Sequence, residues 1–213
     1  MIAGQFLPAL IKSEKILDVF SELDREKFLN DHQKHLAYSD TNIKVNENRY
    51  FISPLNYAKI LQASEIESQE VVLLIGAGSG YETVICSKIA GTVIALEEDD
   101  VFFEKSEITL KDYELDNVIN IKGDHKSGYA KHAPYDTIIL LGATNQISNI
   151  YLEQLACNGK LVICQTINDD IDEGKLYIYY KLKNSLVKKE MFDLNLPKLL
   201  TYNKKKKPFC LDK

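Results

Sequence analysis

No C-x-x-C pair occurs among the four cysteines (Cys86, Cys157, Cys164, Cys210), and no run of about 18 apolar residues occurs anywhere in the chain. The first absence argues against a paired-cysteine redox or zinc motif, and the second against a membrane-spanning helix. Three of the cysteines sit among apolar neighbours, as reduced buried thiols do, so a reducing cytoplasm is the expected setting. The opening stretch MIAGQFLPALIKSEK has no basic leader region and is broken by Pro8, so it is not expected to be a secretory leader. Acidic residues outnumber basic ones, 31 to 26. The formal net charge is −5, which disfavours nucleic acid or anionic lipid as a partner held by bulk charge. The run Lys204 to Lys207 is expected to be a solvated tail.

Catalytic signatures are missing as well. The phosphate loop G-x-x-x-x-G-K-[ST] is absent, which excludes a P-loop nucleotide enzyme. Nothing resembles a Ser-His-Asp or Cys-His constellation. His32 and His35 lie three apart on an expected helix, but no second ligand pair answers them and His132 shows no partner, so no metal site is expected. There is no internal repeat.

At 213 residues and 45% hydrophobic composition, the chain can bury one sizeable core and reads as a single domain. Residues 1–69 are expected to be a helical N-terminal extension. Within it, Ser13 is a candidate N-cap ahead of a periodic stretch to Asn30, residues 31–55 read as an irregular connector, and 56–63 resume a helical pattern. Residues 70–167 alternate short Val- and Ile-rich runs (71–75, 92–96, 117–122, 135–141 and 159–166) with helix-length segments at 81–90, 100–113 and 147–156. That alternation predicts an α/β fold, a doubly wound, mostly parallel Rossmann-like sheet with helices on both faces. Residues 168–213 change to period-two stretches, expected to form antiparallel C-terminal strands and a tail.

The informative stretch is LLIGAGSGYE, residues 74–83. A strand that ends in a glycine-rich turn and feeds a helix lets a ligand approach the main chain closely. The dinucleotide fingerprint would need glycine where Tyr81 stands, which disfavours a hydride-transferring enzyme. The spacing here is G-x-G-x-G at Gly76, Gly78 and Gly80, with Ala77 and Ser79 between. Glu97 ends the next strand, about twenty residues beyond the first glycine, where a carboxylate can accept both hydroxyls of a ribose; Glu98 follows it. Asp124, at the end of the strand after that, suits an adenine amino group, or alternatively a turn-forming Gly-Asp pair. His125 beside it belongs to the same candidate pocket, though a polar turn favours its exposure. Loop, ribose acid and adenine acid together suit S-adenosylmethionine.

The overall pattern resembles the class I methyltransferases that use this cofactor, and more narrowly the protein-L-isoaspartate O-methyltransferases. Arg25-Glu26-Lys27-Phe28 is similar to that family's R-E-x-F step and Ala37-Tyr38-Ser39-Asp40 to its A-Y-x-D element. VLLIGAGSGYET (72–83), APYDTIIL (133–140) and LEQLACNGKLVI (152–163) resemble its first, second and third motifs. The resemblance implies methyl transfer to the carboxylate of L-isoaspartyl residues in protein or peptide substrates, without a nucleic acid or membrane partner. A carboxylate with an ordinary pKa of about 4 is already ionised at neutral pH, so no general base is needed. The family's T-I-S-Q-P segment is replaced by Tyr50-Phe51-Ile52-Ser53-Pro54, leaving Ser53 as the candidate catalytic hydroxyl. Gly142 and Ala143, after the 135–141 run, are candidates to meet the acceptor. The usual acid ahead of the first glycine is lost at Leu74, and MFDLNLPKLLTY resembles the end of a divergent branch that also lacks T-I-S-Q-P. These departures leave open an acceptor other than isoaspartyl carboxylate, or a binding protein that has lost turnover. A nucleic-acid amino-methyltransferase would need an Asn/Asp-Pro-Pro-Tyr type element where this chain reads LGAT (141–144).

Overall fold

Ser13 starts the first α-helix, α1 (Glu14–Glu22), as its position predicts: the hydroxyl accepts from the Ile16 amide, and Ile16, Val19 and Phe20 turn inward. The structure is a computed structural model and describes residues 1–47, 49–166 and 174–200. Beyond α1, short 3₁₀-helices form at Arg25–Phe28 and Asp31–Leu36, the latter carrying His32 and His35. The connector expected at 31–55 is not wholly irregular. It contains an antiparallel pair, β1 (Ile43–Lys44) and β2 (Tyr50–Phe51), whose two-residue strands are too short to set up a sequence period. Next comes α2 (Pro54–Ser64), with Pro54 at its first position, where a missing N–H costs nothing.

The core then runs β3 (Val71–Ile75), α3 (Tyr81–Ser87), β4 (Thr92–Glu97), α4 (Asp100–Asp112), β5 (Val118–Lys122), β6 (Tyr135–Thr144), α5 (Asn149–Gln154) and β7 (Leu155–Thr166). Two longer strands, β8 (Gly174–Lys181) and β9 (Leu186–Asp193), and a short one, β10 (Lys198–Leu200), complete it. The sheet order is β5-β4-β3-β6-β7-β8-β9; the first five are parallel, and β8 and β9 are antiparallel additions, as the change to period two predicts.

Alternation along the central strands divides the core between two faces. Val72 and Leu74 pack with Phe20, Tyr57 and Leu61 from the N-terminal helices, while Leu73 and Ile75 pack with Tyr135, Tyr151 and Leu155 on the other side. Both faces of the sheet are therefore covered.

Two corrections concern the carboxyl edge, where open α/β sheets bind ligands. Gly142 and Ala143 do not come after the strand; they lie inside β6, which runs on to Thr144. Secondly, the segment after β9 folds back across that edge: β10 pairs in parallel with β6, the Ala143 amide donates to the Pro197 carbonyl at 2.8 Å, and Leu194, Leu196 and Leu200 are buried. Asn42 and Asn56 from the N-terminal extension both donate to the Asn195 carbonyl, tying this strap down. Cys86 and Cys164 are buried and Cys157 is exposed. Among the described residues no helix is long and apolar enough to cross a membrane. Lys204 to Lys207 and Cys210 lie outside the described residues.

Candidate active site

The glycine loop closes against the end of β4. Gly76 and Ala77 donate their amides to the Leu96 carbonyl (2.9 and 3.2 Å), and Gly78 donates to Glu97 Oε2 at 2.7 Å. Gly78 has φ +61°, and a Cβ there would meet nothing nearer than Glu82 Oε2 at 3.9 Å. This is the open face of the loop. Gly80 instead backs onto Thr109 of α4, and Gly76 lies under the Leu199 side chain, whose Cδ2 would stand 2.8 Å from a Cβ. Ser79 is buried with its hydroxyl toward the Phe28 carbonyl.

Glu97 is fully buried at the end of β4. Its Oε1 accepts from the Glu98 and Asp99 amides, both at 3.0 Å, and its Oε2 accepts from Gly78 and from Arg49 Nη2 at 2.6 Å. Burial alone would raise its pKa; the His125 ring, the Arg49 charge and the Asp99 amide outweigh that and hold the carboxyl at about 2.

His125 is not exposed, contrary to its turn-like context. It is 0% accessible: its Nε2 lies 3.5 Å from Glu97 Oε1 and 3.1 Å from the Glu98 amide nitrogen, its own amide donates to Glu98 Oε2, and its carbonyl takes the Tyr151 hydroxyl. The ring braces the β4 end from behind. Asp124 makes the turn that its Gly-Asp pair allows, accepting from the Lys126 amide and the Ser127 hydroxyl, which holds its pKa below the ordinary value. It also lines a cleft of about 530 Å³ with Arg49, Glu98, Asp99, Lys122 and Gly123, within the size range of small-ligand sites. Glu97, Glu98, Asp124 and the loop are thus brought together at one sheet edge.

Sharing Glu98 with that cleft, a crevice of about 920 Å³ opens between the N-terminal extension and the strap, walled by Asp40, Asn42, Tyr50, Asn56 and residues 195–199. Ser53 lies beside it, but its hydroxyl has two partners within the chain: it caps α2 by accepting from Asn56 N at 3.1 Å and donates to Asp40 at 3.0 Å. Gly142 is covered by Leu199, whose Cβ would stand 2.5 Å from a Cβ there.

Residues 7–193 match the family of protein-L-isoaspartate(D-aspartate) O-methyltransferases. The chain belongs to this family. Similar relatives are the protein-L-isoaspartate O-methyltransferases of Protochlamydia amoebophila, 32% identical over 76% of this chain and 78% of the relative, and of Aliivibrio fischeri, 33% identical over 72% and 74%. In fold the chain is similar to a putative protein-L-isoaspartate O-methyltransferase from Plasmodium falciparum solved with S-adenosyl-L-homocysteine. The TM-score is 0.76 at 21% identity, covering 92% of this chain and 94% of that one.

The family elements in the extension act as clamps on residues 51–53. Arg25 of the R-E-x-F step is fully buried, its guanidinium between the rings of Phe51 (3.9 Å) and Tyr81 (4.6 Å) with Nη2 donating to the Ile52 carbonyl. Asp40 of the A-Y-x-D element accepts from Ser53, and Asn42 Oδ1 accepts the Ser53 amide at 2.9 Å. Arg49 and Glu82 are the site residues that the sequence does not disclose. Leu74, where family members usually carry an acid, is buried in the core, yet Glu82 brings a different carboxylate to the same loop. Glu82 is 3% exposed, and its Oε1 is buried without a hydrogen-bond partner among the described residues. Burial raises its pKa to about 7 against the lowering influence of Arg25 and Arg49. An open glycine face, a ribose-type acid at the next strand end and an unsatisfied carboxylate oxygen fit a cationic adenosyl ligand.

Proposed function

We propose that this chain transfers the methyl group of S-adenosylmethionine to the carboxylate of L-isoaspartyl residues in protein or peptide substrates, in the cytoplasm and without a nucleic acid or membrane partner. The observation that carries the reading is the buried Glu97 held by three backbone amides next to the open face of Gly78, in a chain of this family. The cofactor supplies an activated methyl group on a positively charged sulfur. Glu97 binds the ribose hydroxyls; Asp124 and Glu98 border the adenine in the cleft they line; Ala77, Ser79 and Gly80 shape the loop; His125 keeps the Glu98 segment in place. Glu82, whose burial favours the protonated form in the free chain, ionises as the cationic ligand arrives beside the loop and then balances its charge.

On the acceptor side Ser53, through Asp40 and the α2 cap, fixes the segment that borders the crevice, while Gly142 and Ala143, covered by Leu199 and bonded to the Pro197 carbonyl, seat the strap that walls it. The acceptor arrives ionised, so the protein's part is orientation and exclusion of water, effects that together supply roughly 7 to 11 kcal/mol. The test is calorimetric titration with S-adenosylhomocysteine, then incorporation of labelled methyl groups into an isoaspartyl peptide. Binding with transfer sustains the reading. Binding without transfer points to a different acceptor within the same family, a second reading favoured by the engagement of the Ser53 hydroxyl inside the chain. Failure to bind points to a chain that has lost turnover.

A further inference from the structure

Glu97 has no acceptor capacity left. A carboxylate offers about four lone-pair positions, and here they are taken by the amides of Gly78, Glu98 and Asp99 and by Arg49 Nη2. The three amides belong to the loop and strand end that build the site and cannot leave without dismantling it. Arg49 is a side chain on the β1–β2 hairpin, whose backbone is held separately by Val45 and by Asn46 Oδ1. It is therefore the partner that yields when a ribose hydroxyl needs Glu97.

Where the guanidinium goes is limited by what surrounds it. Arg49 lines the adenosine-side cleft and also a small cavity with Tyr50, Ile52, Leu141 and residues 197–199, so it stands at the junction of the two halves of the site. Its Nη1 is already buried without a partner among the described residues. The acceptor-side walls carry three acids, Asp40, Glu47 and Glu98, which repel an incoming carboxylate. Lys198 is the cation on those walls among the described residues, and Arg49 reaches them through the small cavity that it shares with Tyr50, Pro197, Lys198 and Leu199. A guanidinium presents paired donors that match a carboxylate.

We infer that Arg49 is the residue that couples the two halves of the site: it is displaced from Glu97 by the ribose and then holds the acceptor carboxylate. This rests on the functional reading above and adds to it an order of binding, cofactor before acceptor, together with an anionic acceptor recognised by a side chain next to the departed T-I-S-Q-P segment.

The experiment is calorimetry on the full chain with S-adenosylhomocysteine and with an isoaspartyl peptide, each alone and in the presence of the other. In the wild type the peptide binds more tightly by about fivefold or more once S-adenosylhomocysteine is present. Arg49→Met binds S-adenosylhomocysteine more tightly than wild type, because no internal cation competes for Glu97; the peptide binds it weakly with or without the cofactor product; and kcat/KM for the peptide falls. A residue that only supported the fold would weaken both ligands together. The inference is overturned if wild-type peptide affinity ignores S-adenosylhomocysteine, or if Arg49→Met binds S-adenosylhomocysteine no better than wild type. The wild-type comparison stands even if Arg49→Met fails to fold. Failure of the wild type to bind S-adenosylhomocysteine at all would sink the functional reading itself, a result distinct from those two.

Discussion

Two buried carboxylates at one loop titrate in opposite directions, and each makes its own prediction. Glu82, raised to about 7 from 4.5, favours the protonated form in the folded chain, so its contribution to stability is present below about 4.5 and lost as pH rises through 7. For this fully buried group the loss amounts to roughly 3 kcal/mol, and Glu82→Gln should flatten the stability curve across that window in urea unfolding at stepped pH. Glu97, held at about 2, behaves in reverse: its contribution is present above about 4.5 and lost as pH falls toward 2. Glu97→Ala should weaken S-adenosylhomocysteine binding by about 1.5 to 3 kcal/mol in calorimetry, through loss of hydrogen bonds to a charged acceptor. At this scale the sequence is partly legible. Glu97 stands out because a strand end and a glycine loop frame it. Arg25, Arg49 and Glu82 look like ordinary surface charges in their local context, because what buries them comes from segments more than twenty residues away in the chain. His125 misleads for the same reason.

Elements are more legible than residues. The strand runs at 71–75 and 92–96 coincide with β3 and β4 nearly residue for residue, since buried parallel strands are unbroken apolar stretches. The hairpin β1–β2 and the strand β10 leave no such trace. Two or three residues carry no period, and the pairing of β10 with β6 depends on contacts far apart in sequence. The glycine loop gives a paired test of that geometry. Gly78→Val meets little protein, so folding should lose only the cost of placing a side chain at positive φ, about 1 to 2 kcal/mol, while S-adenosylhomocysteine binding is abolished in calorimetry. Gly142→Ala should do the opposite, driving a methyl group into Leu199 and the Pro197 carbonyl and loosening the strap, measured as a lower thermal midpoint.

For the molecule as a whole, the extension and the strap meet at Asn195 and together roof the carboxyl edge of the sheet. Leu196 is 3% exposed within that roof. Leu196→Ala should cost about 2 to 5 kcal/mol and lower the melting temperature by about 2 to 4 °C per kcal/mol in a scanning calorimeter. The sequence discloses one α/β unit with an appended front and back, but not that the two appendages touch, because nothing local in either names the other.

The antiparallel meander ends in β9, whose backbone faces outward with no further strand beside it among the described residues. Lys188, Lys189 and Glu190 stand exposed along that rim, and the Lys188 ammonium lies 3.6 Å from the centre of the Tyr177 ring. A second molecule that tried to add its own strand there would have to strip water from three charges in a row, so crowding is met with repulsion instead of sheet growth.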